Sequence, residues 1–269
     1  MKPRPDLPQA LAASVGLRVD RIDTPALVVD LDAMERNIAR MADFARKHQV
    51  LWRPHAKLHK SAEIALQLQR AGAVGACVQK TAEAEALAEG GVRDITITNQ
   101  VIAHPKLLRV ARLAAHLQTQ GGRLALAVDS AEGIQRLAEA MAQAAPQARI
   151  DVLVEIDVGQ GRCGVPPGAP ALALAQAVAR LTQLRFAGLH AYHGRAQHLR
   201  SAAERREAIA AAVQAARHTR DLITAAGLPV PLVTGSGTGT LVHEAASGVF
   251  GELQAGSFLF MDADYARNE

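Results

Sequence analysis

Four side chains in this sequence carry chemistry that a solvated surface has little use for: Lys57, Arg162, Tyr192 and His193. Lys57 lies in Arg53-Pro54-His55-Ala56-Lys57-Leu58-His59-Lys60, a run with four further basic side chains after the apolar Val50–Trp52. Desolvation and neighbouring cations both lower a lysine pKa and free its amine for imine formation. Lys60 and Lys80 compete for that role, but Lys60 opens the next helical stretch and should point away. His55 and His59 are spaced for a metal only on a helix, and this segment reads as a strand running into a loop. Arg162 sits in the turn Gly159-Gln160-Gly161-Arg162-Cys163-Gly164, where a fixed guanidinium can take a carboxylate or a ring oxygen. A salt bridge on a rim reads equally well from the spacing alone. Tyr192-His193 supplies an acid, a base or hydrogen-bond donors, and His193 is the candidate base.

A second kind of chemistry is written in glycines. The run Thr234-Gly235-Ser236-Gly237-Thr238-Gly239-Thr240 alternates glycine with hydroxyl residues. Glycines let backbone N–H groups approach a phosphate, and the hydroxyls add donors. Gly256-Ser257, after Gln254, offers a second such contact.

These residues need a frame that gathers them. Short apolar, β-branched runs alternate with longer Ala/Leu-rich stretches of helical period, which predicts a parallel sheet. The expected strands are Ala26–Asp30, Val50–Pro54, Gly75–Gln79, Ile95–Asn99, Leu124–Asp129, Asp151–Ile156, Phe186–Ala191 and Pro231–Thr234. Helical stretches fill the gaps, LDAMERNIARMADFARKH and AEGIQRLAEAMAQA among them. Eight such units predict a (β/α)8 barrel of TIM type, with an open doubly wound sheet as the alternative. Barrels of this kind need about 250 residues, and the chain has 269. Their sites lie at the C-terminal strand ends, and phosphate is often held after strands 7 and 8. The candidate residues fall at those ends. The expected organisation is a lead-in over 1–22, a barrel over 23–250, and a segment 251–269 that leaves the barrel as a further strand.

Composition narrows the partners. The net charge is +4, but the basic residues are dispersed and aromatics make up 3%, so no stacking platform for nucleic acid is expected. No apolar run approaches a membrane span of about 20 residues. Cys77 and Cys163 are far apart and in no metal-ligand spacing, and the N-terminus lacks a secretory apolar stretch. A cytoplasmic protein with reduced thiols is the expectation.

The motifs together resemble a known family. Asp23–Asp30 (DTPALVVD), RPHAKLHK, CVQKTAEAEAL, DVLVEIDVGQGRCGV, FAGLHAYHGRAQH, VTGSGTGT and ASGVFGELQAGSFLFMDADY follow in the order seen in fold-type III pyridoxal-phosphate enzymes with the alanine racemase barrel. Within that group they are similar to D-threonine aldolases and 3-hydroxy-D-aspartate aldolases, from about Asp23 to Glu269. The resemblance implies pyridoxal 5'-phosphate bound to Lys57. It makes Gln79, Arg162 and Tyr192 contacts to the cofactor ring or substrate, with Gln254 beside them. It makes Ser236, Gly237, Thr238 and Gly239, with Gly256 and Ser257, the phosphate-binding set. It implies retro-aldol cleavage of a D-β-hydroxy amino acid to glycine and an aldehyde, in a homodimer. A D-serine or hydroxyaspartate dehydratase of the same fold, or a non-catalytic cofactor-binding protein or fragment, are the alternatives. The family also carries a C-terminal β domain whose His-x-Asp pair binds a divalent metal, Mn or Mg. None of the ten histidines here is followed two residues later by aspartate, so that domain and the metal ligands are expected to be missing from this chain.

Overall fold

The computed structural model describes residues 15–269. The part of the expected lead-in before Val15 lies outside the described residues. Eight parallel strands form one sheet: β1 (Leu51–Trp52), β2 (Ala76–Val78), β3 (Asp94–Ile97), β4 (Arg123–Val128), β5 (Ile150–Glu155), β6 (Leu184–Ala191), β7 (Val233–Gly235) and β8 (Glu252–Leu253). The order is β1-β8-β7-β6-β5-β4-β3-β2. The two ends of that order meet through the bridge His55–Cys77 and the bond from Cys77 N–H to Pro54 C=O (2.9 Å), so the sheet curls into a ring. Between the strands run α1 (Leu31–His48), α2 (Ala62–Arg70), α3 (Thr81–Glu89), α4 (His104–Thr119), α5 (Ala131–Ala144), α6 (Ala169–Ala179), α7 (Ala202–Ala225) and the short α8 (Leu241–Ala245).

Local sequence explains these boundaries. Asp30 caps α1 by accepting the Ala33 N–H (2.9 Å), and the helix ends where Gln49 turns left-handed (φ 55°). Ser61, Ser130 and Ser201 cap α2, α5 and α7 in the same way. Met34, Ile38, Met41 and Ala45 recur at helical spacing on α1 and pack with Trp52, Leu253, Phe258 and Leu259. Each full burial of such a side chain contributes roughly 1.5–3 kcal/mol. The larger apolar cluster joins α3–α7 to the middle strands. Gly188 (φ 129°) sits at the register shift between β5 and β6, where any Cβ would collide with the Leu232 carbonyl.

Two expectations fail. The run Ala26–Asp30 forms no strand and stands in water, with Leu27 fully exposed and Val28 54% exposed. No strand of the sheet pairs with it among the described residues, so its β-branched pattern joins no ladder. The eighth strand is instead Glu252–Leu253, within the segment expected to leave the barrel. It pairs with β1 on one side and β7 on the other. The barrel therefore runs past residue 250, and the helix that covers its β1–β8 seam, α1, precedes β1 rather than following β8.

Candidate active site

Lys57 is placed by the turn that ends β1. Arg53 and His55 are buried, and Ala56–Leu58 makes a single 3-10 turn that lifts Lys57 into the mouth of the barrel. His55 fixes this turn: its Nδ1 accepts the Lys57 backbone N–H (3.3 Å) and its Nε2 lies 2.9 Å from Thr98 Oγ1. Thr98 donates its own proton to the Val78 carbonyl (3.2 Å), so Nε2 carries the imidazole hydrogen. Burial, with the Lys57 charge behind it, lowers the His55 pKa well below the usual histidine value. Lys57 is exposed to the water of the open cavity, yet protein surrounds most of its length. That partial burial, followed by the Arg162 charge, lowers the Lys57 pKa. Its Nζ lies 5.8 Å from the centre of the Tyr192 ring, and the Arg162 guanidinium lies 6.0 Å from the same ring. Burial pushes the Tyr192 phenol up to about 12, so it stays a hydrogen-bond donor at neutral pH.

The loop that carries Arg162 is built around Asp157. Its carboxylate accepts the N–H groups of Gly159 (3.0 Å) and Gly161 (3.0 Å), and Gln160 accepts the Gly194 N–H (2.8 Å). Opposite, the segments after β7 and β8 converge. Among the described residues the backbone N–H groups of Gly237, Thr238, Gly256 and Ser257 donate to no protein acceptor. A Cβ at Gly256 would stand 2.6 Å from the His55 carbonyl, so only glycine lets the two chains close there. Four free N–H groups and the Ser236 and Ser257 side chains suit a phosphate.

All of this surrounds one cavity of about 360 Å³. Lys57, Gln79, Arg162, Tyr192, Ser236, Gly237, Thr238, Gln254, Gly256 and Ser257 line it, as the sequence reading expects. Among the described residues Lys57 is its sole lysine. Lys60 faces Glu83 (3.5 Å) and Lys80 caps α3, both outside it. Two expected residues stand apart. Gly239 gives its N–H to Gln197 Oε1 (2.8 Å) behind the loop and does not line the cavity. His193 packs over Gly159, where a Cβ would come within 2.8 Å of its Nε2, and it does not line the cavity either.

Several lining residues escaped the sequence reading: Thr98, His190, His198 and Tyr265. For His190 a signal existed, since it shares strand parity with Tyr192 whereas His193 has the opposite parity. His198 follows on the 3-10 turn Arg195–His198 and holds its Nδ1 2.6 Å from Asp264. That contact joins residues 66 apart and has no signature in the local sequence.

The chain matches the family model "Alanine racemase, N-terminal domain" over residues 29–264. It belongs to that family. It is 45% identical over 257 residues to a D-threonine aldolase of an Arthrobacter species, a match that covers 96% of this chain and 66% of that protein. It is 40% identical over 258 residues to a 3-hydroxy-D-aspartate aldolase of Paracoccus denitrificans strain Pd 1222, covering 96% of this chain and 65% of the relative. The crystal structure of a D-threonine aldolase from Filomicrobium marinum superimposes with a TM-score of 0.88 at 46% identity, covering 92% of this chain and 65% of that one. The chain thus spans about two thirds of the length of the relatives it matches. The family implies pyridoxal 5'-phosphate. The lysine, the phenol and the free N–H groups around one cavity fit that group. For a metal the outcome differs. Among the described residues no group of three or more His, Cys, Asp or Glu side chains could hold an ion. His55 and His59 are each engaged in backbone contacts of their own turn. No helix among the described residues is long and apolar enough to cross a membrane.

Proposed function

We propose that this chain forms the cofactor-binding barrel of an aldolase that cleaves D-β-hydroxy amino acids to glycine and an aldehyde. The observation that carries the reading is the meeting of Lys57, with its lowered pKa, and a set of unpaired backbone N–H groups in one cavity. Pyridoxal 5'-phosphate, held covalently by Lys57, supplies an electron sink for the pair left when a bond at the substrate Cα breaks. Gly237, Thr238, Gly256 and Ser257 hold its phosphate. Tyr192 packs beside Lys57 and keeps the amine close to Arg162. Arg162, which makes no ion pair among the described residues, is free to take the substrate carboxylate.

Loss of the β-hydroxyl proton drives the carbon–carbon cleavage. We assign its acceptor to His198 in place of His193, because His198 lines the cavity and Asp264 holds its ring. Arg200 anchors the same Asp264 through its other oxygen (2.6 Å). Among the described residues no ligand set for a metal is present.

The test joins a spectrum to a product. With the cofactor added, the protein should show an imine absorption band near the visible edge, absent from Lys57→Ala. Incubation with D-threonine and manganese should then yield glycine and an aldehyde, and Lys57→Ala should reduce this to background. Ammonia and a keto acid instead would mean dehydration. A band with no product would mean a binding protein, and no band would refute the site.

A further inference from the structure

Barrel interiors are usually filled by layers of branched apolar side chains. In this one an inward-facing column of polar side chains runs from the mouth to the opposite end. Its members share strand parity: Arg53 with His55, Thr96 with Thr98, and Glu252 with Gln254. All are buried. Outside the cavity described above, Thr234, Glu252 and Glu155 have no part in the proposed chemistry, yet each is at most 3% exposed.

The polarity of this column can be worked out from one end. Glu252 is a carboxylate ion-paired to Arg53, whose Nε donates to Oε2 at 3.0 Å. A carboxylate only accepts. The Thr234 hydroxyl, 2.9 Å from Glu252 Oε1, must therefore donate to it. The remaining lone pairs of Thr234 Oγ1 can only accept, so the Gln254 neighbour at 2.9 Å must be the amide NH2. That leaves Gln254 Oε1 facing His190 Nε2 at 3.0 Å, and an amide oxygen there requires a hydrogen on Nε2. The other ring nitrogen, Nδ1, faces a single polar group among the described residues, the Glu155 carboxylate at 3.5 Å. A bare lone pair against a buried carboxylate would be repelled, whereas an N–H there is attracted. Gln100 donates to the same Glu155 oxygen and holds it in place.

We propose that Thr234 and Glu252 are positioning residues: acting through Gln254, they lock His190 as an imidazolium that donates from Nε2 to Gln254 and turns Nδ1–H toward the Glu155 carboxylate on the floor of the cofactor cavity. The charged groups that act on His190 are Glu155, which favours the cation, and Arg162, which opposes it; His55 is held neutral by its own burial. Burial also opposes the cation, and the Glu155 pair outweighs it, so the His190 pKa is raised. The consequence is a floor whose hydrogen-bond pattern does not change over the range in which an ordinary histidine titrates. Gln254 cannot rotate to offer its NH2 to the cavity without breaking the column. The proposal rests on the reading of the cavity as a cofactor site only for its purpose, not for its geometry.

The experiment is 15N NMR of the histidine-labelled full chain from pH 6 to 8.5, recorded before and after addition of pyridoxal 5'-phosphate. His190 is assigned by the loss of its signals in His190→Gln. Expected before addition are two protonated-type nitrogens for His190 with no titration across the range. In Thr234→Val, which keeps the Arg53–Glu252 pair, one nitrogen should move to the unprotonated range with a midpoint lowered by at least one pH unit. An unprotonated His190 nitrogen in the unmodified protein would overturn the proposal, whether or not the variants fold. Unchanged His190 titration in a folded Thr234→Val would overturn the relay through Gln254. These readings need no cofactor, so they stand apart from the absorption test of the aldolase reading. Perturbation of the His190 signals on cofactor addition would then place the imidazolium against the bound group.

Discussion

The two ends of the barrel treat charge in opposite ways. At the N-terminal ends of the strands the charged groups form a closed set. Arg53 bridges Glu252 and Asp94, Arg123 takes the other oxygen of Asp94 (2.6 Å), and Arg185 grips Asp151 through two bonds (2.5 and 2.7 Å). At the mouth Lys57 and Arg162 make no ion pair among the described residues, and Glu244, buried behind the loop after β7, has no basic partner. The same fold thus supports a closed end whose cations Arg53, Arg123 and Arg185 are all paired and a mouth where Lys57 and Arg162 stay available for a ligand. A buried pair is costly to break but need not add much net stability. An unpaired cation in a cavity is a standing invitation to an anion.

Removing a charge from the closed end should give the largest effect on stability. Arg53→Leu leaves Glu252 and Asp94 buried or half-buried without their shared cation, and should cost about 3–5 kcal/mol. Urea denaturation would read this. A loss below about 1 kcal/mol would mean that the closed end relaxes as easily as the mouth, and the comparison would break.

Glu244 should give the next effect, through pH. Its Oε1 accepts the Thr240 hydroxyl (2.8 Å), its Oε2 has no partner among the described residues, and burial pushes its pKa up to about 7 from an ordinary 4.5. Between those values the folded protein holds a proton that the unfolded chain releases. The stability this confers is complete below about 4.5 and is lost as pH rises through about 7. Glu244→Gln should match the unmodified protein near pH 4.5 and exceed it near pH 8, by up to about 3 kcal/mol. Thermal melts at the two pH values check the sign, and a parallel pH dependence in both proteins would remove Glu244 as the cause.

A smaller effect is expected from filling the mouth. Gly256→Ala puts a Cβ 2.6 Å from the His55 carbonyl while leaving φ in an ordinary region (−123°). Overpacking of this kind costs about 1–3 kcal/mol. Here it should appear mainly as cofactor affinity weakened roughly tenfold, at 1.4 kcal/mol per factor of ten, in a spectroscopic titration. Unchanged affinity would move the phosphate elsewhere.

The smallest effect belongs to a residue in neither region. Leu27 is fully exposed, and Leu27→Ser should shift stability by no more than about 0.5 kcal/mol. A larger loss would show that the run expected as the first strand is covered in solution.

Much of the fold was legible in the sequence because short-range periodicity carries it. Seven of the expected strands, from Val50–Pro54 to Pro231–Thr234, overlap β1–β7 in order, and LDAMERNIARMADFARKH is α1 residue for residue. Serine caps and glycine stops mark helix ends through bonds three or four residues long. The ends of the ring were not legible. Ala26–Asp30 has the pattern of a strand, but a strand exists only where a neighbour completes its hydrogen bonds. Glu252–Leu253 has two residues, one of them charged, and no periodicity to read.

The site divides along the same line. The types Lys57, Arg162, Tyr192 and the glycines near residues 235–239 and 256 were legible as chemistry, because amines, phenols and glycines are distinctive in a strand-end context. The choice among histidines was not. His193 turns onto Gly159, His190 turns inward beside Gln254, and His198 meets Asp264 from the far end of the chain. Sequence by itself determined the helices and the middle strands, since those depend on contacts between near neighbours. Only the tertiary structure decided which strand closes the ring, which N–H groups stay unpaired and which histidine reaches the cavity, because those outcomes depend on contacts between residues tens to hundreds of positions apart.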